Sequence, residues 1–496
     1  MKLTKKTFIM MLLSIIILPL LGNENLNNFL HINIIVTLLN YLIPGLLCVF
    51  LLFDMYKQKK WPKFEINSVA TVLFWVVIIL SFIFAISHKI FNCSNLFKFG
   101  CMTFILYSLK DIEFEDKQKK GILYTILAAS AFISLLGIGQ YIFQINLNTS
   151  GIEKYIGALG RINSTTYIAT ILDKYMALNI FLVLVFIYKK WTNKYINYIV
   201  LVLNVLALSF TFSRTGLLIY LFLVVLFLII FLFRKRFINA LLILLLTIGM
   251  YMIPGQNFVY SSLARYLIDV GYSVSEKIEL DFIGDTAKFI LNPFVIDVYE
   301  YMGNESIDED VDEQLTSNVD YSLSSRSYYK KIATSLMKEH WELGIGIGSY
   351  THIFNNQNVN DYLVGNPYQE YFRYPHNMYL QLGAEVGIVG MIIFFFNIIF
   401  MLLKRTFKSK SAFPIILCIC VLLVCYTESI FYMKDIAYFT ILLIALFSNK
   451  NFLTDNDKTI EEIAVENKDN EKKKSTKKKV STEKKVNTKK KANSKK

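Results

Sequence analysis

Long apolar runs joined by short, lysine-bearing connections leave this chain little choice of fold. The runs fall at about 8–21, 30–53, 68–87, 95–109, 121–143, 166–187, 195–212, 215–233, 237–254, 378–403, 411–432 and 436–449. With 54% hydrophobic residues in a chain of 496 and a mean hydropathy of +0.45, a soluble domain of ordinary composition is excluded. In lipid every backbone N–H and C=O must be satisfied within the segment, so runs of this length are expected to be helices. The expected fold class is therefore all-α, a polytopic membrane protein with about twelve transmembrane helices and one large extracytoplasmic loop.

The charge pattern supplies the orientation. With the N-terminus inside, the cytoplasmic connections carry Lys57, Lys59, Lys60 and Lys63, then Lys110, Lys117, Lys119 and Lys120, then Lys189, Lys190 and Lys194, then Arg234, Lys235 and Arg236, and finally Lys404, Arg405, Lys408 and Lys410. The short outer connections hold only Lys89, Lys154, Arg161, Arg214 and Lys434. This asymmetry obeys the positive-inside rule at every turn and places both termini in the cytoplasm. Lys2, Lys5 and Lys6 before an apolar stretch imitate a signal peptide, but Leu20-Leu21-Gly22 offers no small-x-small cleavage site, so the stretch is kept as a first span. The six cysteines lie almost entirely inside apolar runs, which fits small core residues better than a disulfide framework or a zinc site.

Four regions follow: N-terminal transmembrane helices over 1–254, an extracytoplasmic loop over 255–377, C-terminal transmembrane helices over 378–449, and a lysine-rich tail over 450–496. The loop is acidic around Asp308-Glu309-Asp310-Val311-Asp312-Glu313. Asp308, Asp310 and Asp312 have the opening spacing of a calcium loop, but Glu313 stands where the turn glycine belongs and Val319 where the bidentate glutamate belongs, so no metal site is expected. From Ser322 onward the pattern turns helical, with Ser322 or Ser324 as cap, Arg326 in the first turn, and Tyr329, Ile332 and Leu336 at helical spacing. The helix stops at Leu343-Gly344-Ile345-Gly346-Ile347-Gly348, which lacks the strand before it that a nucleotide-binding loop requires. The tail ends in a degenerate six-residue repeat with almost nothing apolar to bury. It is expected to be disordered, solvated or resting on anionic lipid, and without specific nucleic-acid recognition.

Ser213-Arg214-Thr215-Gly216 lies between two apolar runs. A charge in lipid costs roughly 2.5–3.5 kcal/mol at a helix centre and less near the interface, so Arg214 needs a partner or a task. This motif, Ser325-Arg326 opening a loop helix, Gly344-Ile345-Gly346, and Pro375-His376-Asn377 before a glycine-rich span together resemble the O-antigen ligase and O-antigen polymerase superfamily. Gly160-Arg161-Ile162-Asn163 is similar to that family's upstream arginine motif, although the residues after Arg161 depart from its usual wording. Trp341 likewise stands where family members usually carry proline.

The resemblance implies a membrane glycosyltransferase of GT-C-like architecture in the bacterial cytoplasmic membrane, metal-independent and inverting, with no cofactor. It would take a glycan from an undecaprenyl diphosphate carrier and pass it to a lipid- or glycan-linked acceptor at the outer face. By the same resemblance Arg214, Arg326 and Arg161 bind the diphosphate and His376 acts on the acceptor. Residue chemistry agrees, since a diphosphate leaving group calls for fixed bidentate donors, and an attacking hydroxyl needs a base that titrates near neutrality.

Each residue also has a plainer reading. Arg214 or Arg161 could snorkel to headgroups, Arg326 could pair with the acidic half of its loop, and His376 could cap a helix start. Asp173 and Glu385, inside apolar runs, are read as pore-facing or interface groups without chemistry. A polymerase would use the same donor with a carrier-linked acceptor. A flippase or transporter would instead be expected to show paired repeats and mid-membrane binding residues.

Overall fold

The structure, a computed structural model, describes residues 1–22, 32–85, 89–143, 145, 161–166, 168–253, 286, 288, 326, 329–353 and 374–452. The chain divides into two compact units, Met1–Lys450 and Asn451–Lys496. All but residues 451 and 452 of the second unit, the acidic stretch 304–313 and the candidate caps Ser322 and Ser324 lie outside the described residues.

Each apolar run read from the sequence carries a helix among its described residues. The helices are α1 (Lys5–Leu20), α2 (Asn33–Gln58), α3 (Ile66–Ile83), α4 (Lys89–Leu109), α5 (Asp116–Ile142), α6 (Ala169–Lys189), α7 (Lys194–Phe210), α8 (Arg214–Phe233) and α9 (Phe237–Tyr251). They are followed by the loop helix α10 (residues 329–339) and by α11 (Met378–Ser409), α12 (Phe413–Thr427) and α13 (Lys434–Ser448). Among the described residues six helices, α2, α3, α5, α6, α8 and α11, are long and apolar enough to cross a membrane, while α7, α9, α12 and α13 are shorter apolar helices. The expected run 411–432 is corrected: α12 ends at Thr427, and Glu428, at its C-cap, begins a non-helical turn. Large apolar side chains such as Ile34, Leu38, Phe53, Val72, Leu241 and Leu245 are exposed on α2, α3 and α9, as a lipid-facing surface requires.

Polar residues fix where the helices begin. Thr4 caps α1, Glu65 and Ser68 form a capping box on α3, Glu115 and Gln118 form one on α5, and Ser213 and Asn377 cap α8 and α11. α6 is the central helix: its residues from Ala169 to Ile187 are all buried, and it packs against α7 and α8. α11 packs on α3 and α12, and α1 packs on α13, α2 and α5.

The connections assigned to one side of the membrane gather at one end of the bundle. The Met1 carbonyl accepts from Glu113 N at 2.8 Å, Lys404 pairs with Glu65 at 2.8 Å, and Lys450 pairs with Asp111 at 2.8 Å. At the other end, Thr165 Oγ1 donates to the Pro19 carbonyl at 2.9 Å, and Asn377 Nδ2 donates to the Tyr426 carbonyl at 3.2 Å.

Candidate active site

α11 is broken where the glycine-rich turn meets it. Gly387 has φ 75° and ψ 167° inside the helix, a backbone that a side chain would strain, and a Cβ there would lie 2.4 Å from the Glu342 carbonyl oxygen. The break redirects backbone hydrogen bonds. Ile388 N, which in a continuous helix would bond the Ala384 carbonyl, donates to the Trp341 carbonyl at 2.8 Å, while Ala384 accepts from Ile345 N at 2.9 Å and Glu385 from Gly346 N at 3.0 Å.

The Glu385 carboxylate completes this joint. It accepts from Gly348 N at 2.6 Å, from Tyr350 N at 3.2 Å and from the Tyr432 hydroxyl. Tyr350 in turn donates its hydroxyl to the Tyr329 carbonyl at 2.9 Å, and Ile332, Ala333, Leu336, Ile345 and Ala384 close an apolar cluster around it. The buried Glu385 is thus the anchor that fastens α10 to the membrane helices, and α10 leads back to Arg326, itself helical.

A second joint holds Arg214. Ser213 donates its hydroxyl to Asp173 Oδ2 and accepts from Gly216 N at 3.3 Å. Lys174 Nζ donates to Thr215 Oγ1 at 2.6 Å and to both Asp173 oxygens at 2.8 and 2.9 Å. Gly216 is required by close approach, because a Cβ would come within 2.7 Å of Asp173 Cβ. Ser213, Thr215 and Gly216 therefore clamp the start of α8 onto the buried Asp173–Lys174 pair of α6, with Arg214 half-buried as the first helical residue. Arg161 joins the same turn: its Nε donates to the Thr211 carbonyl at 2.9 Å, and Ile162 N donates to the Phe210 carbonyl at 3.1 Å.

His376 lies beside a carboxylate absent from the sequence reading. Its Nδ1 is 2.9 Å from Glu428 Oε2 and 3.1 Å from Oε1, and both residues are buried. The His376 backbone is left-handed, with φ 46°, a conformation that costs a non-glycine residue on the order of 1–3 kcal/mol and persists only where its surroundings enforce it. Asn377 enforces it from the next position, capping α11 through Leu380 N at 3.0 Å and bonding Tyr426 in α12.

Glu428 also accepts from Ser429 N at 3.2 Å and from Thr170 Oγ1 at 3.4 Å. Burial pushes its carboxyl up, but the His376 imidazole, the Lys174 ammonium and the Arg326 guanidinium outweigh that and hold it down at about 2. An ionised carboxylate only accepts, so Nδ1 of His376 carries the shared proton, and in the neutral ring Nε2 is then the nitrogen with the lone pair.

Arg326 brings the two joints together. Its charge interacts with Glu428 and Asp173 and is opposed by Arg161, and its buried Nε has no hydrogen-bond partner among the described residues. One turn on, Lys330 stacks over the Tyr426 ring at 5.6 Å, and burial, with Arg326 beside it, pushes its ammonium down. Arg326, Arg161, His376 and Glu428 thus form one electrostatic cluster, and Ser213 and Thr215, which flank Arg214, are tied to it through Asp173. Among the described residues no group of three His, Cys, Asp or Glu side chains is placed to hold a metal ion.

This cluster lies mostly within a stretch that has relatives. Residues 199–395 match the family model described as O-antigen ligase. The resemblance to the O-antigen ligase superfamily holds, and it covers Arg214, Arg326, the glycine-rich turn, His376 and the break at Gly387. Arg161 and Glu428 lie on either side of it. Comparison with curated proteins finds no match. Residues 199–395 are thus similar to O-antigen ligases, and among the described residues six helices are long and apolar enough to cross a membrane, which together support a multi-pass membrane protein with an O-antigen ligase- or polymerase-like role.

Proposed function

We propose that the chain is a metal-independent, inverting glycosyltransferase of the O-antigen ligase type, which moves a glycan from an undecaprenyl diphosphate carrier to an acceptor sugar hydroxyl at the outer face of the membrane. The observation that carries this reading is the cation cluster of Arg326, Arg161 and Lys174 set against the His376–Glu428 pair. A buried donor without a partner costs about 1–3 kcal/mol, so the Arg326 Nε, which has none among the described residues, is consistent with a ligand that supplies acceptor oxygens.

In the proposed reaction the acceptor hydroxyl attacks the anomeric carbon from the face opposite the diphosphate. His376 Nε2 takes the hydroxyl proton, and Glu428 steadies the imidazolium that forms. The bond from the anomeric carbon to the diphosphate oxygen breaks, and the charge gathering on that oxygen is met by the forks of Arg326, Arg161 and Arg214. Diphosphate leaves without protonation, so no general acid is required. The family likeness accommodates a polymerase with the same donor chemistry, the acceptor then being a second carrier-linked unit. The glycan profile of a deletion strain tests the assignment: full-length polymer accumulating on the carrier is the ligase outcome, single repeat units are the polymerase outcome, and an unchanged profile contradicts both.

A further inference from the structure

The opposite end of α7 and α8 from Arg214 carries a separate cavity of about 700 Å³, within the size range of small-molecule sites. Four cations line it, Lys190, Lys194, Lys235 and Arg236, and no acidic side chain is among its described lining residues. Two helices begin at its wall, α7 at Lys194 and α9 at Phe237, so the positive ends of both dipoles add to the cations. The N-cap of α9, Arg236, makes no side-chain cap hydrogen bond. The side chain of Arg236 is fixed instead by a hydrogen bond to the Tyr188 carbonyl and by stacking at 4.8 Å over the Tyr188 ring.

A second observation points to a ligand. Asn197 is fully buried and lines the cavity. Its Oδ1 accepts from Thr192 Oγ1 at 2.6 Å, yet its Nδ2 donor has no partner among the described residues. The apolar side of the cavity continues onto Phe237 and Ile238, which are exposed as lipid-facing side chains would be.

We propose that this cavity binds the phosphate headgroup of an anionic phospholipid from the cytoplasmic leaflet. The chemistry asks for a phosphate, and the adjoining lipid-facing wall selects one carried on acyl chains over a free ion. A lipid held here would brace α7 and α9 at the end of the bundle remote from the candidate active site, independently of what that site does.

The test is native mass spectrometry of the purified full-length protein with phosphatidylglycerol, phosphatidylcholine and inorganic phosphate as probes. Wild type should retain phosphatidylglycerol over phosphatidylcholine by at least about tenfold. Lys190 and Lys235 have left-handed backbones, which asparagine tolerates, and Lys194 is exposed, so the triple variant Lys190→Asn, Lys194→Gln, Lys235→Asn keeps the fold while removing charge. It should lose the preference, whereas Lys57→Gln, Lys59→Asn, Lys60→Gln, outside the cavity, should keep it. Asn197→Leu should weaken retention without changing surface charge. Equal loss in both triple variants, or full retention in the cavity variants, would overturn the proposal. Binding of inorganic phosphate with no lipid preference would overturn the lipid assignment.

Discussion

Replacing Glu428 with glutamine removes one charge and almost no volume, which isolates the carboxylate's contribution to the proposed base. In the wild type the carboxylate lies 2.9 Å from His376 Nδ1. An imidazolium formed during transfer would sit about 4 Å from it, charge centre to charge centre, and at an effective dielectric near 20 that attraction is about 4 kcal/mol. Glutamine loses that term. Its amide can also donate to Nδ1, which moves the ring proton to Nε2 and leaves the wrong nitrogen facing the acceptor. The expected fall in single-turnover transfer is about a thousandfold, within the range of about 10²–10⁴ that general bases supply.

The assay is transfer from a lipid-linked donor by purified full-length protein, with donor affinity measured in parallel, and that affinity should change by less than about threefold. In a His376→Ala background the same change should cost little more, because the two residues act as one unit. Transfer by Glu428→Gln within about tenfold of wild type, or additive losses in the double variant, would refute the reasoning.

Gly387→Ala places a Cβ 2.4 Å from the Glu342 carbonyl oxygen on a backbone with φ 75°, so it should destabilise the protein by at least about 1–3 kcal/mol. A thermal midpoint equal to wild type would contradict the break as described. The cations around Glu428 hold its carboxyl down at about 2, below the ordinary carboxylate range, so the stability it contributes is present above that range and is lost as pH falls towards 2. The stability gap between wild type and Glu428→Gln should therefore be wide at pH 5 and close on further acidification, and a gap that widens instead would exclude an ionised Glu428. If arginines alone meet the leaving group's charge, turnover should continue in excess EDTA, and activity lost to EDTA and restored by magnesium or manganese would contradict the mechanism.

The helices were legible because long apolar runs in lipid have one backbone solution, and α6, α8 and α11 follow directly from them. The end of α12 was not, because a single Glu428 among Tyr426, Ile430 and Phe431 scarcely alters the hydropathy of its run. The polar triplet Thr427-Glu428-Ser429 was the available signal, a carboxylate too costly in lipid to be idle. Arg214 could be singled out by its motif, but the work of its neighbours depends on Asp173 and Lys174, some forty residues earlier on α6. The break at Gly387 was hidden for a similar reason: glycines at 383, 387 and 390 are compatible with a straight helix, and only the glycine-rich turn docking at Trp341, Ile345 and Gly346 makes the reversal at Gly387 favourable.

The central claim is a division of labour, with the arginines holding the diphosphate and His376 moving the proton. Donor affinity and single-turnover rate, measured together for wild type, Arg326→Lys and His376→Ala, test it most directly. Arg326→Lys keeps a charge but loses the planar fork, so donor affinity and rate should fall together. His376→Ala should bind donor nearly as wild type does and transfer at least about a hundredfold more slowly. Near-normal transfer by His376→Ala, or a loss of donor binding as severe as that of Arg326→Lys, would contradict the account.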